Sequence, residues 1–158
     1  MEEASSFTHA KGMVDITHKT VTHRTARASA CIRFQRKAFE VLMKEGSPKG
    51  NVLETARIAG MMAAKATSQI IPHCHPLMLT KVQFDFRPLK TKNAILIFAE
   101  VSCQGQTGVE MEALQAVTTA ALTIYDMMKW SGQDMIITDV MLLEKHGGKS
   151  GDFSRTDQ

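Results

Sequence analysis

The sequence predicts an α+β fold, a ferredoxin-like domain with an antiparallel sheet and helices packed on one face, on three observations. Segments with alternating apolar residues stand near both ends and in the middle of the chain. Long segments with apolar residues at helical spacing separate them, and Gly, Pro or polar turns fall where the period changes. The resulting order, β-α-α-β-β-α-β, suits helices on one side of an antiparallel sheet, and a split βαβ arrangement is the simplest topology for it.

Each element has its own warrant. Ala26, Ala28, Ala30, Ile32 and Phe34 alternate with Arg27, Ser29 and Arg33, as in a half-buried strand. In residues 35–45, Phe39, Leu42 and Met43 take helical spacing until Gly46-Ser47-Pro48 stops them. Asn51, three residues before Glu54, has the form of an N-cap with a reciprocal partner, and it opens a long Ala/Met/Ile helix that runs to Ile71 before Pro72. Val82, Phe84 and Phe86 alternate with Gln83, Asp85 and Arg87, and Ile95, Ile97, Ala99 and Val101 follow a polar turn at 90–93, which predicts a hairpin. Residues 108–129 hold the strongest periodic signal, with Met111, Leu114, Val117, Ala121, Ile124 and Met128 on one broad stripe. A last strand is expected over about 134–143. Residues 1–20 and 146–158 carry no such pattern and are expected to be flexible arms of a single domain spanning 1–158.

Composition narrows the function. A chain of 158 residues, 44% hydrophobic and 22% charged, fits one domain that buries roughly 68–70% of its surface without a disulfide or metal staple. There is no run of ~18 apolar residues to span a bilayer. The opening MEEASSFTHAKG has two acids and no apolar h-region, so export is not expected and a cytoplasmic protein is. Lys plus Arg is 19 against 16 for Asp plus Glu, a net charge of +3, and there is one Trp and one Tyr. Charge and stacking aromatics are both too sparse for a nucleic-acid binder. Cys31, Cys74 and Cys103 form no CxxC pair and read as reduced thiols.

Chemistry-bearing residues gather in four places. The helix at 108–129 carries Glu110 and Glu112 at its start and Asp126 and Lys129 at its finish. Acids at a helix N-terminus and a Lys at the C-terminus complement the macrodipole, but Asp126 fits that reading poorly. At ~100° per residue it lies ~40° from Glu112 in projection, with Lys129 ~60° further on, so the three share a side. The fourteen residues from 112 to 126, at ~1.5 Å rise, still separate the two ends by ~21 Å. A single small substrate reaching both clusters therefore takes one of them from a second copy across a symmetric interface.

The second place is His73-Cys74-His75, between Pro72 and Pro76. A structural zinc site wants four ligands, and no partner CxxC or HxxxH exists, so no metal is expected. Two readings stay open: a turn with satisfied histidines, or a stiffened segment that presents one His to a ligand. Third, Lys49 stands in Ser47-Pro48-Lys49-Gly50 just before a helix N-terminus, where an anion is favoured, although loop lysines are commonly just solvated. Fourth, Gly147-Gly148-Lys149-Ser150-Gly151 looks like the end of a P-loop, but that motif needs Gly where Leu143 stands and a helix for which seven residues leave no room. The tail with Lys145 and Lys149 suits a lid over an anionic ligand instead. There is no GxSxG, GxGxxG or HExxH, and no cofactor is expected.

Together these segments resemble the molybdenum cofactor biosynthesis protein C (MoaC) family, the cyclic pyranopterin monophosphate synthases. The resemblance rests on MVDIT at 13–17, ARIAGMMAAK at 56–65, IIPHCHPLMLTKV at 70–82, TGVEMEAL at 107–114, ALTIYDMMK at 121–129 and LLEKHGGKSGDF at 142–153. It implies a ferredoxin-like protomer in a homohexamer, a trimer of dimers with sites at the dimer interfaces. It also implies a pyrophosphate-releasing lyase that converts 3′,8-cyclo-7,8-dihydroguanosine triphosphate to cyclic pyranopterin monophosphate, with the radical GTP cyclase as pathway partner.

Carried over motif by motif, Asp126 takes the catalytic position and Lys49 and Lys129 the functionally important lysines. His73, Cys74, His75, Met111 and Glu112 take the substrate-contact segments, and Arg24, Glu110 and Lys145 lie in or near the pocket. This chain departs from the family pattern at His73, commonly Leu, at Asn51, usually Asp, and at Met128, where the YDMCK form has Cys. On this reading Lys49 and Arg24 hold the triphosphate, Lys129 is an acid/base tuned by Asp126, and His75 with Glu112 orients the base. The alternative is a non-catalytic nucleotide- or phosphate-binding module.

Overall fold

The structure, a computed structural model, describes residues 12–156. Its strands are β1 (Thr22–Arg33), β2 (Leu79–Leu89), β3 (Ala94–Gly105), β4 (Ile136–His146) and β5 (Phe153–Ser154), and its α-helices are α1 (Arg36–Lys44), α2 (Val52–Lys65), α3 (Thr67–Ile70) and α4 (Glu110–Met128). The sheet order is β2-β3-β1-β4-β5, antiparallel throughout. Strands β1 to β4 with α2 and α4 as crossovers form the expected split βαβ sandwich, helices on one face. The core lies between that face and the helices: Ala26, Ala28, Ala30 and Ile32 of β1 and Ile95, Ile97, Ala99 and Val101 of β3 meet Ala116, Val117, Ala120 and Ile124 of α4.

Several details depart from expectation, each for a physical reason. Strand β1 starts at Thr22 rather than Ala26, because Thr22–Thr25 join the ladder opposite Ser102–Gly105 without any apolar alternation. The helix expected to reach Ile71 breaks at Ala66. There the Thr67 hydroxyl donates to the carbonyls of Ala63 and Ala64, both at 3.0 Å, and competes with the backbone ladder. Asn51 Oδ1 caps α2 by accepting the Glu54 N–H at 3.0 Å, but the Glu54 carboxylate pairs with Arg57 at 2.8 Å instead of reaching back.

Most of the predicted α4 stripe is buried, with Val117, Ala121, Ile124 and Met128 in the core, but the buried face is wider than the stripe and leaves out its first residue. Met111 is 39% exposed, and Ala113, Ala116 and Ala120 take the inner face. Small side chains let α4 lie close to both the sheet and α2. The approach is tight at Gly60, where a Cβ would collide with the Phe84 ring and the Ala116 carbonyl.

The terminal segments are partly tied down. Strand β5 pairs Phe153 with Lys145, and Arg155 donates its N–H to Leu143 O at 2.7 Å and its Nε–H to Leu142 O at 2.8 Å. That stitching lies within the tail the sequence reads as an arm. At the other end, Gln106 Nε2 donates to Lys19 O at 2.8 Å and to Thr17 O at 3.3 Å. Residues 1–11 and 157–158 of the expected arms lie outside the described residues.

Candidate functional site

Two polar clusters stand at opposite ends of α4. At its C-terminal end, Asp126 Oδ2 accepts from Lys49 Nζ at 2.8 Å, and Oδ1 from Lys129 Nζ at 2.8 Å. Lys129 lies one turn beyond Asp126, so the helix itself sets that pair. Lys49 is brought from the loop between α1 and α2. The Ser47 hydroxyl donates to Met127 O at 2.7 Å and accepts the Lys49 N–H at 3.2 Å, while Gly50 N–H closes a turn onto Ser47 O at 3.0 Å. Pro48 occupies the second position of that turn, where its ring presets the backbone.

Hydrogen bonds from Lys129 and Lys49 hold the Asp126 carboxyl down at about 2, and the same carboxylate raises Lys129 above the ordinary lysine range. All three side chains are about half exposed, and exposed ion pairs contribute little to stability.

The N-terminal end of α4 is a buried counterpart. Glu112 is 4% exposed, and desolvation, helped by the nearby Glu110 charge, raises its carboxyl to about 7. Glu110 is itself paired with Lys145 of β4 at 3.1 Å. Burial, and then the Glu112 charge, push up the thiols of both Cys74 and Cys103, which sets the Pro72–Pro76 segment beside this end of α4. His75 Nε2 meets Val14 O at 2.8 Å. A carbonyl only accepts, so Nε2 is the donor in this contact. His73, two residues earlier, is exposed. Among the described residues no three His, Cys, Asp or Glu side chains are grouped as a metal ion would need.

Arg24 joins this second cluster from β1. It is only 9% exposed; its Nη1 donates to Gly147 O at 3.4 Å, and its Nε is buried without a partner. Gly148 packs against the guanidinium, with a φ of +89° that suits glycine and no room for a Cβ. Beside it opens a cavity of about 330 Å³ lined by Lys19, Thr22, Arg24, Gly148, Lys149 and Ser150. Three cations around one hollow suit an anion.

The structure therefore brings Lys49, Asp126 and Lys129 together, and separately Arg24, Glu110, Glu112, Lys145 and the segment of Cys74 and His75. Sequence reasoning missed Lys19, which lies in a stretch without periodicity, and Ser47, whose role exists only across the fold. No local signal marks either one.

The profile of the MoaC family matches residues 13–148. The chain belongs to the MoaC family. The matched stretch contains every member of both clusters of this MoaC chain and ends at Gly148, before Lys149 and β5. Membership supports a role in molybdenum cofactor biosynthesis. A solved structure of a mutant ferredoxin protease FusC in complex with Arabidopsis ferredoxin is similar at a TM-score of 0.30 and 12% identity, over 63% of this chain and 9% of that chain, which carries no argument. Among the described residues no helix is long and apolar enough to cross a membrane.

Proposed function

We propose that this MoaC chain is a cyclic pyranopterin monophosphate synthase, a lyase acting on 3′,8-cyclo-7,8-dihydroguanosine triphosphate and releasing pyrophosphate. Its substrate would come from the radical GTP cyclase. The observation that carries the reading is Asp126 bridging Lys49 and Lys129 in a chain matched to the MoaC family over residues 13–148.

Purine ring opening, closure to the pyranopterin and attack of a ribose hydroxyl on the α-phosphate all need proton transfers and stabilisation of growing negative charge. Lys49 supplies charge to the phosphate being transferred, and Arg24, with Lys19 and Lys149 around the 330 Å³ cavity, holds the anionic end of the substrate. The upward shift of Lys129 keeps it an ammonium held by Asp126, suited to stabilising growing negative charge rather than to acting as a base. Glu112, with a carboxyl near 7, exchanges a proton at neutral pH where an ordinary glutamate would not. His75 and Glu112 orient the base, with Met111, Cys74 and His73 lining its approach.

The two clusters are ~21 Å apart along one helix, so the complete site pairs the Asp126 end of one copy with the Glu112 end of another. We infer a homohexamer, a trimer of dimers, with sites shared across each dimer interface. Subunit complementation tests this. Asp126→Asn and Glu112→Gln, each inactive alone, should regain about a quarter of wild-type turnover on 1:1 mixing and reassembly, because half the dimers are mixed and each mixed dimer has one intact site. No recovery from correctly mixed dimers would rule out the shared site. Failure of the wild type to release pyrophosphate and a pterin from the cyclised nucleotide would rule out the reaction and leave a phosphate-binding module.

A further inference from the structure

The last carbonyls of a helix lack intrahelical partners, and in α4 they are met from outside. Met128 O accepts from the N–H and hydroxyl of Ser131, at 2.9 and 2.8 Å. Asp126 O accepts from Lys49 Nζ at 3.4 Å, and Met127 O accepts from the Ser47 hydroxyl at 2.7 Å. The same Ser47 oxygen accepts the Lys49 N–H. One hydroxyl thus ties the end of α4 to the backbone of the residue whose ammonium sits on Asp126. Gly46 and Gly50, at φ +72° and +115°, flank this turn.

We propose that Ser47 is a positioning residue, whose hydroxyl fixes where the Lys49 ammonium stands against Asp126. The proposal rests on the reading of Lys49 above for its catalytic consequence, but not for its geometry. An ion pair between two half-exposed side chains does not order a flexible four-carbon stem by itself. A 2.7 Å bond from a short side chain to a helix carbonyl does order it, because it places the Lys49 backbone before the stem is extended. Among the described residues, loss of the hydroxyl leaves the Lys49 side chain as the turn's one remaining hydrogen-bonded tie to α4, and modest displacement of a reacting group is costly in rate.

The test compares Ser47→Ala and Ser47→Thr in the full chain with two readouts. Acetic anhydride labelling followed by mass spectrometry reads how free Lys49 is, with the α2 lysine Lys65 as internal reference. Ser47→Ala should raise Lys49 labelling about threefold or more and lower kcat about tenfold with KM within about threefold, while Ser47→Thr keeps both near wild type. Thermal melting confirms that each variant is folded. Unchanged Lys49 labelling in folded Ser47→Ala overturns the proposal, as does unchanged kcat, or a Ser47→Thr variant that behaves like Ser47→Ala. If the wild type makes no pterin, the functional reading fails, and labelling alone decides the role of Ser47.

Discussion

The two ends of α4 carry carboxylates of one helix in opposite states. Asp126 is exposed, sits between two ammonium groups and is held down at about 2; Glu112 is buried beside another acid and two thiols and is raised to about 7. Residue type does not make the difference, since both are ordinary acids on the same face of the helix. Solvent and neighbours do. Environments that push two carboxyl groups apart divide the acid and base tasks of a site: Asp126 stays a fixed anion over the working pH range, and Glu112 is free to gain or lose a proton.

The largest effect is expected at the exposed end. Asp126→Asn keeps the shape but removes the anion, so Lys129 loses the cause of its raised pKa and Lys49 its partner. Turnover should fall about 10²- to 10⁴-fold with an unchanged circular dichroism spectrum. A loss under tenfold would mean that the cluster is merely a surface ion network.

At the buried end an effect on stability is expected beside the loss of turnover. A raised carboxyl pKa means that the folded state binds the proton more tightly than the unfolded chain. Stability associated with Glu112 is therefore fully present below about 4.5, falls as pH rises, and levels off above about 7. The shift corresponds to roughly 3 kcal/mol at most across that window. Glu112→Gln should remove this slope, which denaturant unfolding between pH 4.5 and 8 would reveal. A slope that persists in the variant would assign it to other groups.

The smallest effect sharpens the cause. Because the Glu110 charge adds to the elevation of Glu112, Glu110→Gln should lower the Glu112 carboxyl while leaving it above the ordinary range, since desolvation is the larger cause. Infrared titration of the carboxyl band reads this. An unmoved Glu112 would leave burial as the sole agent.

Much of this was legible in the order of residues. Alternation at Ala26 to Ile32 and at Ile95 to Val101 marked β1 and β3, because a strand half in the core repeats every second residue. Asn51 marked the start of α2 because capping is local. The motifs around Lys49, Asp126 and Glu112 marked both clusters before any distance was available. Less legible were Met111 outside the core, the pairing of Glu54 with Arg57, the break at Ala66 and the four polar residues that begin β1. Each depends on a neighbour in space or on one of several bonds a side chain can make.

Local spacing in the sequence encodes the four long strands and the main helices, their order, the family and the identity of the groups that bear charge. Only the tertiary structure decided that Lys49 meets Asp126, that Arg24 lies under Gly148 with an unpartnered N–H, and that one glutamate is dry while an aspartate on the same helix is wet. Proton affinity and ion pairing follow from distance and solvent access. Both are properties of the packed chain, and no stretch of residues carries them by itself.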